Sequence, residues 1–363
     1  MGCQNNFLEN GIIQKDMEEI YLSSSAWKKL YGAGIYVTGA AGMIASYLVM
    51  FLIWLNETHD YHIQIYAGIR SEDKARARFG QYFERAYFHP VRGDVNAPLT
   101  VSEPLHYIIH AASLASPQYY GKMPVETMLP NVVGTYELLR YGAKHSVKGF
   151  LFFSSGSVYG NIAETAGITE ETAGILDWMA PGNVYGESKR CGEAMCGAYY
   201  REFGLPVGIA RIHHTYGPTM DVRNDKRVFS EFANNILSGN NIVLKSDGED
   251  CRAFCYLSDT VAALFKILLE GVPGECYNVG NPAQYVSIRR LAEILTGVFP
   301  EKELRVEFQK RTDAGYCASP VKRLTPVNVD KLESLGWKAK VTVEDGFARS
   351  LQYLAQTYAE EVS

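Results

Sequence analysis

One stretch, residues 35–55, constrains the fold of this chain more than any other, and it reads IYVTGAAGMIASYLVMFLIWL. The β-branched run at residues 35–38 predicts a buried strand. That strand breaks at Gly39 and Gly42 and passes directly into an apolar helix from Met43. A strand, a glycine turn and a helix place a helix N-terminus and backbone N–H groups against a pyrophosphate. The stretch favours a nucleotide-binding α/β unit, although an ordinary βα turn has the same pattern.

The residues of this turn have separate roles. Gly39 allows the tight turn, and Gly42 lets the backbone approach phosphates because it has no Cβ. Ala45, where a third glycine often stands, keeps the helix close to the strand. The spacing differs from the commoner G-x-G-x-x-G, so the flanking strand and helix carry much of the signal. We expect Gly39, Gly42, Met43 and Ile44 to contact a dinucleotide.

Composition bounds the class of protein. The 363 residues, 47% hydrophobic and 21% charged, are enough for one large or two smaller globular domains. A net charge of −5 gives no reason to expect nucleic acid or a membrane surface as a partner. The seven cysteines form no C-x-x-C pair and no metal set, and no signal peptide is recognisable. These features predict a cytoplasmic protein with reduced thiols, no bound metal and no transmembrane segment.

Strands alternate with helices along the chain, which predicts a doubly wound parallel sheet. The second strand, residues 62–69, ends without a carboxylate before Glu72. Arg70 therefore faces the 2′-phosphate of NADP, stacks on adenine while NAD is bound, or simply faces solvent. Asp94 and Val95 follow another strand and are expected to meet the adenine.

Small residues follow the strand at 107–110. Ala111, Ala112 and Ser113 would let a cofactor pass close to the backbone. Asn131 begins the next predicted helix and is also expected on the cofactor side. These positions extend the predicted cofactor site beyond the glycine turn.

A possible catalytic group comes from two separate segments. Ser155 ends a hydrophobic strand at 149–155, and 30 residues later Tyr185 opens a helix with Lys189 four positions on. Residues four apart share one helical face, so the Lys189 ammonium is expected to lower the pKa of the Tyr185 phenol. Tyr185 could then act as a base near neutral pH, while Ser155 binds the same substrate oxygen. Beside a nicotinamide, this set could remove a hydride from a sugar carbinol.

The chain resembles the extended short-chain dehydrogenase/reductase family, specifically the NAD-dependent epimerase/dehydratases of nucleotide sugars. The resemblance covers roughly residues 33–350 and rests on TGAAGMIAS, HAAS, NVVGT, FFSSGSVYG, YGESK, ARIHHTYGP and DGEDCRAFCYLSD. It implies bound NAD, with NADP as an option, and a homodimer formed through a four-helix bundle. It assigns the catalytic roles to Tyr185, Lys189 and Ser155. It also places four residues at a nucleoside diphosphate sugar: Ser157, His214, Arg227 and Arg252.

The same resemblance implies a division of the chain. A Rossmann-type sheet would occupy residues 33–212, with 251–282 returning to it. A smaller C-terminal α/β lobe for the substrate would consist mainly of residues 213–250 and 283–363. Residues 1–32 are expected to form a helical extension that packs on the domain or serves a dimer.

Within the family the chain looks most like the UDP-glucuronate decarboxylases, which favours a UDP-sugar. The chain departs from the family pattern in two places. Decarboxylases and 4,6-dehydratases usually have Glu before VYG, and dehydratases add Asp before that, whereas this chain has Ser157 and Gly156. A 4,6-dehydratase is therefore disfavoured, because it needs an acid and a base to remove water. His214 stands where the family often has Asn, in a His213–His214 pair.

Four functions remain open from the sequence. Decarboxylation of UDP-glucuronate matches the overall motifs, whereas C4 epimerisation matches the small hydroxyl of Ser157. A reductase of 4-ketosugars that uses NADPH would suit Arg70. A non-catalytic NAD(P)-binding regulatory protein is the fourth, and the intact Tyr185, Lys189 and Ser155 set argues against it.

Overall fold

The computed structural model describes residues 6–162, 167–309 and 326–362. The strands of these ranges are β1 (Gly34–Thr38), β2 (Gln64–Ile69), β3 (Phe88–Arg92), β4 (Tyr107–His110), β5 (Gly149–Ser155), β6 (Val207–Ile212), β7 (His214–Tyr216), β8 (Ile242–Leu244), β9 (Cys251–Tyr256), β10 (Cys276–Val279), β11 (Tyr285–Ser287) and β12 (Val306–Phe308). The helices are α1 (Gly11–Tyr21), α2 (Met43–His59), α3 (Glu72–Phe79), α4 (Pro117–Tyr120), α5 (Pro124–Leu129), α6 (Thr135–Lys144), α7 (Val184–Phe203), α8 (Val228–Leu237), α9 (Leu257–Glu270), α10 (Ile288–Thr296), α11 (Asp330–Glu333) and α12 (Val343–Val362).

Seven strands form one parallel sheet in the order β3-β2-β1-β4-β5-β6-β10. Helices α2 and α9 pack on one face, and α6 and α7 pack on the other. The predicted Rossmann-type, doubly wound sheet is confirmed. The strand order reverses between β1 and β4, and a ligand of such a sheet binds at the carboxyl ends of the strands near this point.

The first strand and helix form because of their apolar content. Every residue of β1 is buried, as expected for a central parallel strand covered on both faces. Helix α2 is buried over nearly its whole length, from Ala45 to Asn56, between the sheet and α9. This packing holds the glycine turn between β1 and α2 at the edge of the sheet.

A second, smaller lobe is built around two short sheets. Strand β9 pairs in parallel with β7 and antiparallel with β11, and β8 pairs with β12. Helices α8, α10 and α12 enclose these strands in a separate apolar cluster that includes Phe229, Phe254, Leu291 and Phe347. Within the stretch 251–282, α9 and β10 return to the large sheet, whereas β9 stays in the small one.

The N-terminal extension packs on the rest of the chain. Asn10 caps α1, since its side chain accepts hydrogen bonds from the N–H groups of Ile12 (3.0 Å) and Ile13 (3.4 Å). Apolar residues of α1, among them Met17 and Ile20, join the main apolar core, and α1 lies against α9. No helix of the described ranges has the length and apolar character needed to span a bilayer.

Candidate active site

A cleft of about 400 Å³ opens at the carboxyl ends of β1, β4, β5 and β6. Lysine, arginine and histidine side chains line it, and no aspartate or glutamate belongs to the lining within the part of the chain that the structure describes. It therefore suits an anionic ligand. Most of the residues predicted for the site line this one cleft: Gly39, Gly42, Met43, Ile44, Ala111, Ser113, Ser155, Ser157, Tyr185, Lys189, His214 and Arg227.

The glycine turn forms one wall of the cleft. Gly39 has a φ of +62°, and a Cβ at this position would lie 2.9 Å from the Cα of Ala112. Gly42 N–H donates to the carbonyl of Gly39 (2.8 Å) and precedes α2, whose N-terminus has no side-chain cap. An uncapped helix N-terminus reached through a glycine turn is suited to phosphate groups. This geometry fits the pyrophosphate of a dinucleotide.

Two residues that the sequence did not single out hold the neighbouring strand end in place. Thr38 Oγ1 accepts hydrogen bonds from the N–H groups of Ala111 (3.0 Å) and Ala112 (2.9 Å) and lies 2.9 Å from His110 Nδ1. His110 Nε2 donates to the carbonyl of Pro130 (3.0 Å). Burial lowers the pKa of His110 to about 3, so the ring is neutral and its Nδ1 accepts from Thr38. These bonds fix the small residues next to Gly39.

Tyr185, Lys189 and Ser155 meet in the cleft, although they come from two elements. Tyr185 (6% exposed) and Lys189 (2% exposed) lie one turn apart on α7. Lys189 Nζ donates to the carbonyl of Phe153 (2.5 Å) and lies 5.7 Å from the centre of the Tyr185 ring. Ser155 ends β5 and lines the same cleft, and its hydroxyl lies 3.2 Å from that of Ser157. The structure therefore brings together the three side chains predicted to act on a substrate hydroxyl.

The protonation of these groups differs from the expectation. Burial raises the pKa of Tyr185 to about 12, an effect opposed by the Ser155 hydrogen bond and by the charge of Arg227. Burial lowers the pKa of Lys189 to about 7. The phenol pKa is therefore raised in this structure, and not lowered as the spacing of Tyr185 and Lys189 predicts. Desolvation, which depends on packing, outweighs the pairing of Tyr185 and Lys189 along the helix.

The buried Lys189 gives a stability prediction. Between pH 7 and 10.5 the unfolded chain binds more protons at this lysine than the folded chain, so stability rises with pH in this window. At pH 6 the buried Lys189 amine is protonated, and burial of this positive charge destabilises the folded protein. We therefore expect Lys189→Met to stabilise the protein by about 2 kcal/mol at this pH. Near pH 10 the advantage should reverse, because the lost bond to Phe153 remains. Urea unfolding at both pH values measures this, with exposed Lys245→Met as the control. An advantage independent of pH would contradict it.

Five predicted cofactor residues are absent from the cleft lining: Ala112, Asn131 and, beyond the ends of β2 and β3, Arg70, Asp94 and Val95. Arg70 is exposed directly after β2. Asp94 is also exposed, and its carboxylate accepts a hydrogen bond from Asn96 N–H (3.0 Å). Val95 packs against Gly134, where a Cβ would lie 3.2 Å from the valine Cγ1. These three positions follow β2 and β3, on the side of β1 where an adenosine half would lie in such a sheet.

Asn131 has a different place from the one predicted. It lies inside a π-turn, Pro130–Gly134, that separates α5 from α6, and it is fully buried. Its amide donates to the carbonyl of Thr127 (3.0 Å) and to Ser188 Oγ (2.9 Å). Asn131 thereby holds the residue before Lys189, and its contact with a cofactor stays a prediction.

The predicted substrate residues divide into two groups. Arg227 lines the cleft, forms an ion pair with Asp225 (2.6 Å) and approaches Met43 Sδ (3.7 Å). Arg252 does not belong to the cleft lining, since it lies in β9 and donates to the carbonyl of Cys251 (2.8 Å). The predicted contact of Arg252 with substrate therefore lacks support in this geometry.

Ser157 and His214 both line the cleft. Ser157 N–H donates to Ser155 Oγ (3.2 Å), so these two hydroxyl residues form one turn after β5. His214 is exposed and lies 6.1 Å from Phe254 between ring centres.

Sequence reasoning missed Tyr120 and left open whether His213 contacts the substrate or only forms a strand-end turn. The Tyr120 ring stacks on Tyr185, with ring centres 4.8 Å apart and planes 7° apart, and its hydroxyl donates to the carbonyl of Ala115 (2.9 Å). His213 lines the cleft beside Gly156. The paired histidines were a visible signal, whereas nothing local marks Tyr120. Within the described ranges no three side chains gather as a metal site.

The model of the NAD dependent epimerase/dehydratase family matches residues 35–280. The chain belongs to this family. Two relatives illustrate its place among the epimerase/dehydratases. UDP-glucuronic acid decarboxylase 6 of Arabidopsis thaliana is 32% identical over 312 residues, 86% of each chain. UDP-glucuronic acid decarboxylase 1 of Xenopus tropicalis is 31% identical over 350 residues, 95% of this chain and 76% of the relative.

Solved structures share the fold of this family member. UDP-glucose 4-epimerase of Thermotoga maritima, with UDP-glucose, gives a TM-score of 0.74 at 22% identity over 90% of this chain and 99% of the other. UDP-glucuronic acid 4-epimerase of Bacillus cereus, with UDP-glucuronic acid and NAD, gives 0.72 at 22% identity over 90% and 100%. At these identities the likeness supports the fold alone.

Proposed function

We propose that this epimerase/dehydratase is an NAD-dependent UDP-glucuronate decarboxylase. The observation that carries the proposal is the 32% identity with a UDP-glucuronic acid decarboxylase over 86% of both chains. The site agrees with it, since Tyr185, Lys189 and Ser155 share one cleft with a helix N-terminus suited to phosphate.

NAD fits the residues of the glycine turn. Gly39, Gly42 and the N-terminus of α2 would hold the pyrophosphate, and the small residues Ala111, Ala112 and Ser113 would leave room along the strand end. When bound, NAD⁺ supplies the acceptor for the hydride from C4 of the sugar. Because β2 ends without a carboxylate, Arg70 would also allow the 2′-phosphate of NADP.

The side chains of the cleft would act on the 4-hydroxyl group. The phenolate of Tyr185 accepts its proton, and Ser155 hydrogen-bonds to the same oxygen. The Lys189 ammonium stabilises the negative charge of that phenolate before the proton is transferred. Arg227 attracts the anionic substrate, and the stacked Tyr120 covers one face of the Tyr185 ring.

Decarboxylation follows from the ketone at C4. The C5 carboxylate of the oxidised sugar belongs to a β-keto acid, so the electron pair of the breaking C–C bond passes into the ketone. Bond cleavage itself requires no carboxylate at residue 157. The second candidate is C4 epimerisation, which is favoured by the small hydroxyl of Ser157 in the cleft.

The test is incubation of the protein with UDP-glucuronate and NAD⁺, followed by mass spectrometry and proton NMR of the nucleotide sugar. We expect loss of the carboxyl group and formation of a UDP-pentose. An isomer of unchanged mass would support the epimerase instead. Unchanged UDP-glucuronate would overturn both functions and direct the search to 4-ketosugars with NADPH.

We also propose a cytoplasmic homodimer. Exposed apolar side chains occur together on α5, α6 and α7, which pack side by side: Val125, Met128, Leu129, Tyr136, Tyr200 and Phe203. A second copy would cover this face in a four-helix bundle, and a monomeric mass in solution would contradict it. The five cysteines of the described ranges are free thiols, as in a reducing compartment.

A further inference from the structure

His213 lies against the turn that carries Ser155. A Cβ at Gly156 would come within 2.7 Å of His213 Cε1 and 2.8 Å of its Nδ1. Only glycine at residue 156 therefore lets the imidazole lie in this position. The ring also stacks near Tyr159, with centres 6.2 Å apart, and it lines the same cleft as Tyr185 and Lys189.

A buried amide orients the imidazole. Asn278 is fully buried, and its Nδ2 donates to the carbonyls of Ile168 (3.1 Å) and Asn328 (3.0 Å). The Oδ1 of Asn278 is therefore the acceptor, and it receives the Tyr159 hydroxyl (2.6 Å) and faces His213 Nε2 (3.4 Å). The hydrogen of the neutral imidazole is thus assigned to Nε2. The other nitrogen, Nδ1, is on the side of the ring that meets Gly156.

The proposed reaction requires a proton donor for C5 of the sugar. After C4 is oxidised, the bond between C5 and the carboxyl carbon breaks and CO₂ leaves. The electron pair of the broken bond forms the C4–C5 enolate. C5 must then gain a proton before the hydride removed from C4 returns to C4. Ser157 is a weak acid, and no carboxylate lines the cleft within the described ranges, so neither can supply this proton.

We propose that His213 is a further catalytic residue, whose protonated imidazole donates the proton to C5 of the enolate. The inference rests on the proposed decarboxylase function. The enolate electron pair forms the new C5–H bond, the N–H bond of the imidazolium breaks, and solvent restores the proton to the neutral ring. Ser155 adjoins Gly156 in the chain, so with Ser155 at the C4 oxygen, as proposed above, an imidazole against Gly156 would lie on the side of the carbon bonded to C4.

The experiment compares wild type with His213→Gln, whose amide nitrogen can keep the bond to Asn278 but cannot donate a proton as an imidazolium does. Single turnovers with UDP-glucuronate and NAD⁺ are followed by nicotinamide absorbance for C4 oxidation and by mass spectrometry for the UDP-pentose. We expect an unchanged oxidation rate and about 100-fold slower formation of the UDP-pentose. Exposed His145→Gln is the matched control and should leave both rates unchanged.

Each outcome bears on a separate proposal. If wild type forms no UDP-pentose, the decarboxylase function fails, and this inference fails with it. If wild type forms it and His213→Gln does so at the same rate, only the role of His213 is overturned. Equal slowing of oxidation and product formation would also overturn it, because a purely structural role affects both steps.

Two further variants keep the test decisive if His213→Gln does not fold. His213→Phe preserves a ring beside Tyr159 and should show the same selective loss. Adding Ser157→Glu to either His213 variant supplies an acid next to Gly156, and we expect at least a 10-fold recovery of UDP-pentose formation. No recovery together with an unselective loss in His213→Phe would overturn the proposal.

Discussion

Replacement of Tyr185 by phenylalanine should lower kcat with UDP-glucuronate by about 10³-fold, the largest effect we expect on activity. The variant lacks only the hydroxyl whose phenolate form accepts the proton of the 4-hydroxyl group. The ring remains, so its stacking on Tyr120 at 4.8 Å and its burial are preserved. We therefore expect the melting temperature and the affinity for NAD to stay close to those of wild type. The measurements are steady-state kinetics, calorimetric titration with NAD and a thermal unfolding curve.

Tyr36→Phe is the matched control for this variant. Tyr36 is another buried tyrosine. It lies in β1 with its hydroxyl next to Gly68 of β2, and it does not line the cleft. Its loss of a hydroxyl should leave kcat within a factor of two. If Tyr185→Phe kept more than a tenth of wild-type activity, another group would be the base. Bound NAD with no turnover in wild type itself would instead support the regulatory alternative.

Arg349→Met should lower the free energy of unfolding by about 3–5 kcal/mol, the largest effect we expect on stability. Arg349, 7% exposed on α12, donates to Asp16 (2.6 Å), Glu19 (2.8 Å) and Asp345 (2.6 Å). Asp16 is fully buried on α1 and also accepts from Tyr256 (2.6 Å). Without the guanidinium, the buried Asp16 carboxylate would lose the cation that it shares with Glu19 and Asp345. Urea unfolding at pH 7 measures the loss.

The pH dependence and a second substitution separate this cause from lost packing. Burial already raises the pKa of Asp16, so without Arg349 its charged form becomes still less favourable. The deficit of Arg349→Met should therefore shrink as the pH falls and Asp16 takes up a proton. Adding Asp16→Asn should recover at least half of the loss at pH 7. Exposed Arg290→Met, which breaks an ion pair with Glu344, should cost less than about 0.5 kcal/mol. No recovery with Asp16→Asn would contradict the electrostatic explanation.

This buried cluster also explains what the N-terminal extension does for the fold. Asp16 and Glu19 on α1 contact Arg349 on α12, while Tyr47 of α2 and Tyr256 of β9 donate to the same Asp16 carboxylate. The extension is thus bonded to α2, which packs on the large sheet, and to β9 and α12 of the smaller lobe. The sequence predicted a helix in this region but left open whether it packs on the domain or serves a dimer. The structure places it on the domain, because its apolar face and its one buried carboxylate have partners in the same chain.

Several contacts could not be read from the sequence. Asn131 and Arg252 stand in motifs that predicted ligand contacts, but the motifs did not show that Asn131 also binds Ser188 inside the fold or that Arg252 donates to Cys251 in β9. The pKa of Tyr185 was misjudged for a related reason. Spacing along a helix showed that Lys189 is near, but the loss of water around the phenol depends on everything that packs over it.

What the sequence by itself determined is local. The strand, glycine turn and helix at 35–55, and the spacing of Tyr185 and Lys189, specify geometry within a few residues, because hydrogen bonding and side-chain period repeat over such distances. A parallel sheet places the carboxyl ends of its strands along one edge, so the prediction of this sheet already implied that Gly39, Ala111 and Ser155 lie near one another. The burial of Asp16 and the packing of His213 against Gly156 and Asn278 depend on the tertiary structure alone. These contacts join residues far apart in the chain, and their strength depends on desolvation and close packing, which no short stretch of sequence records.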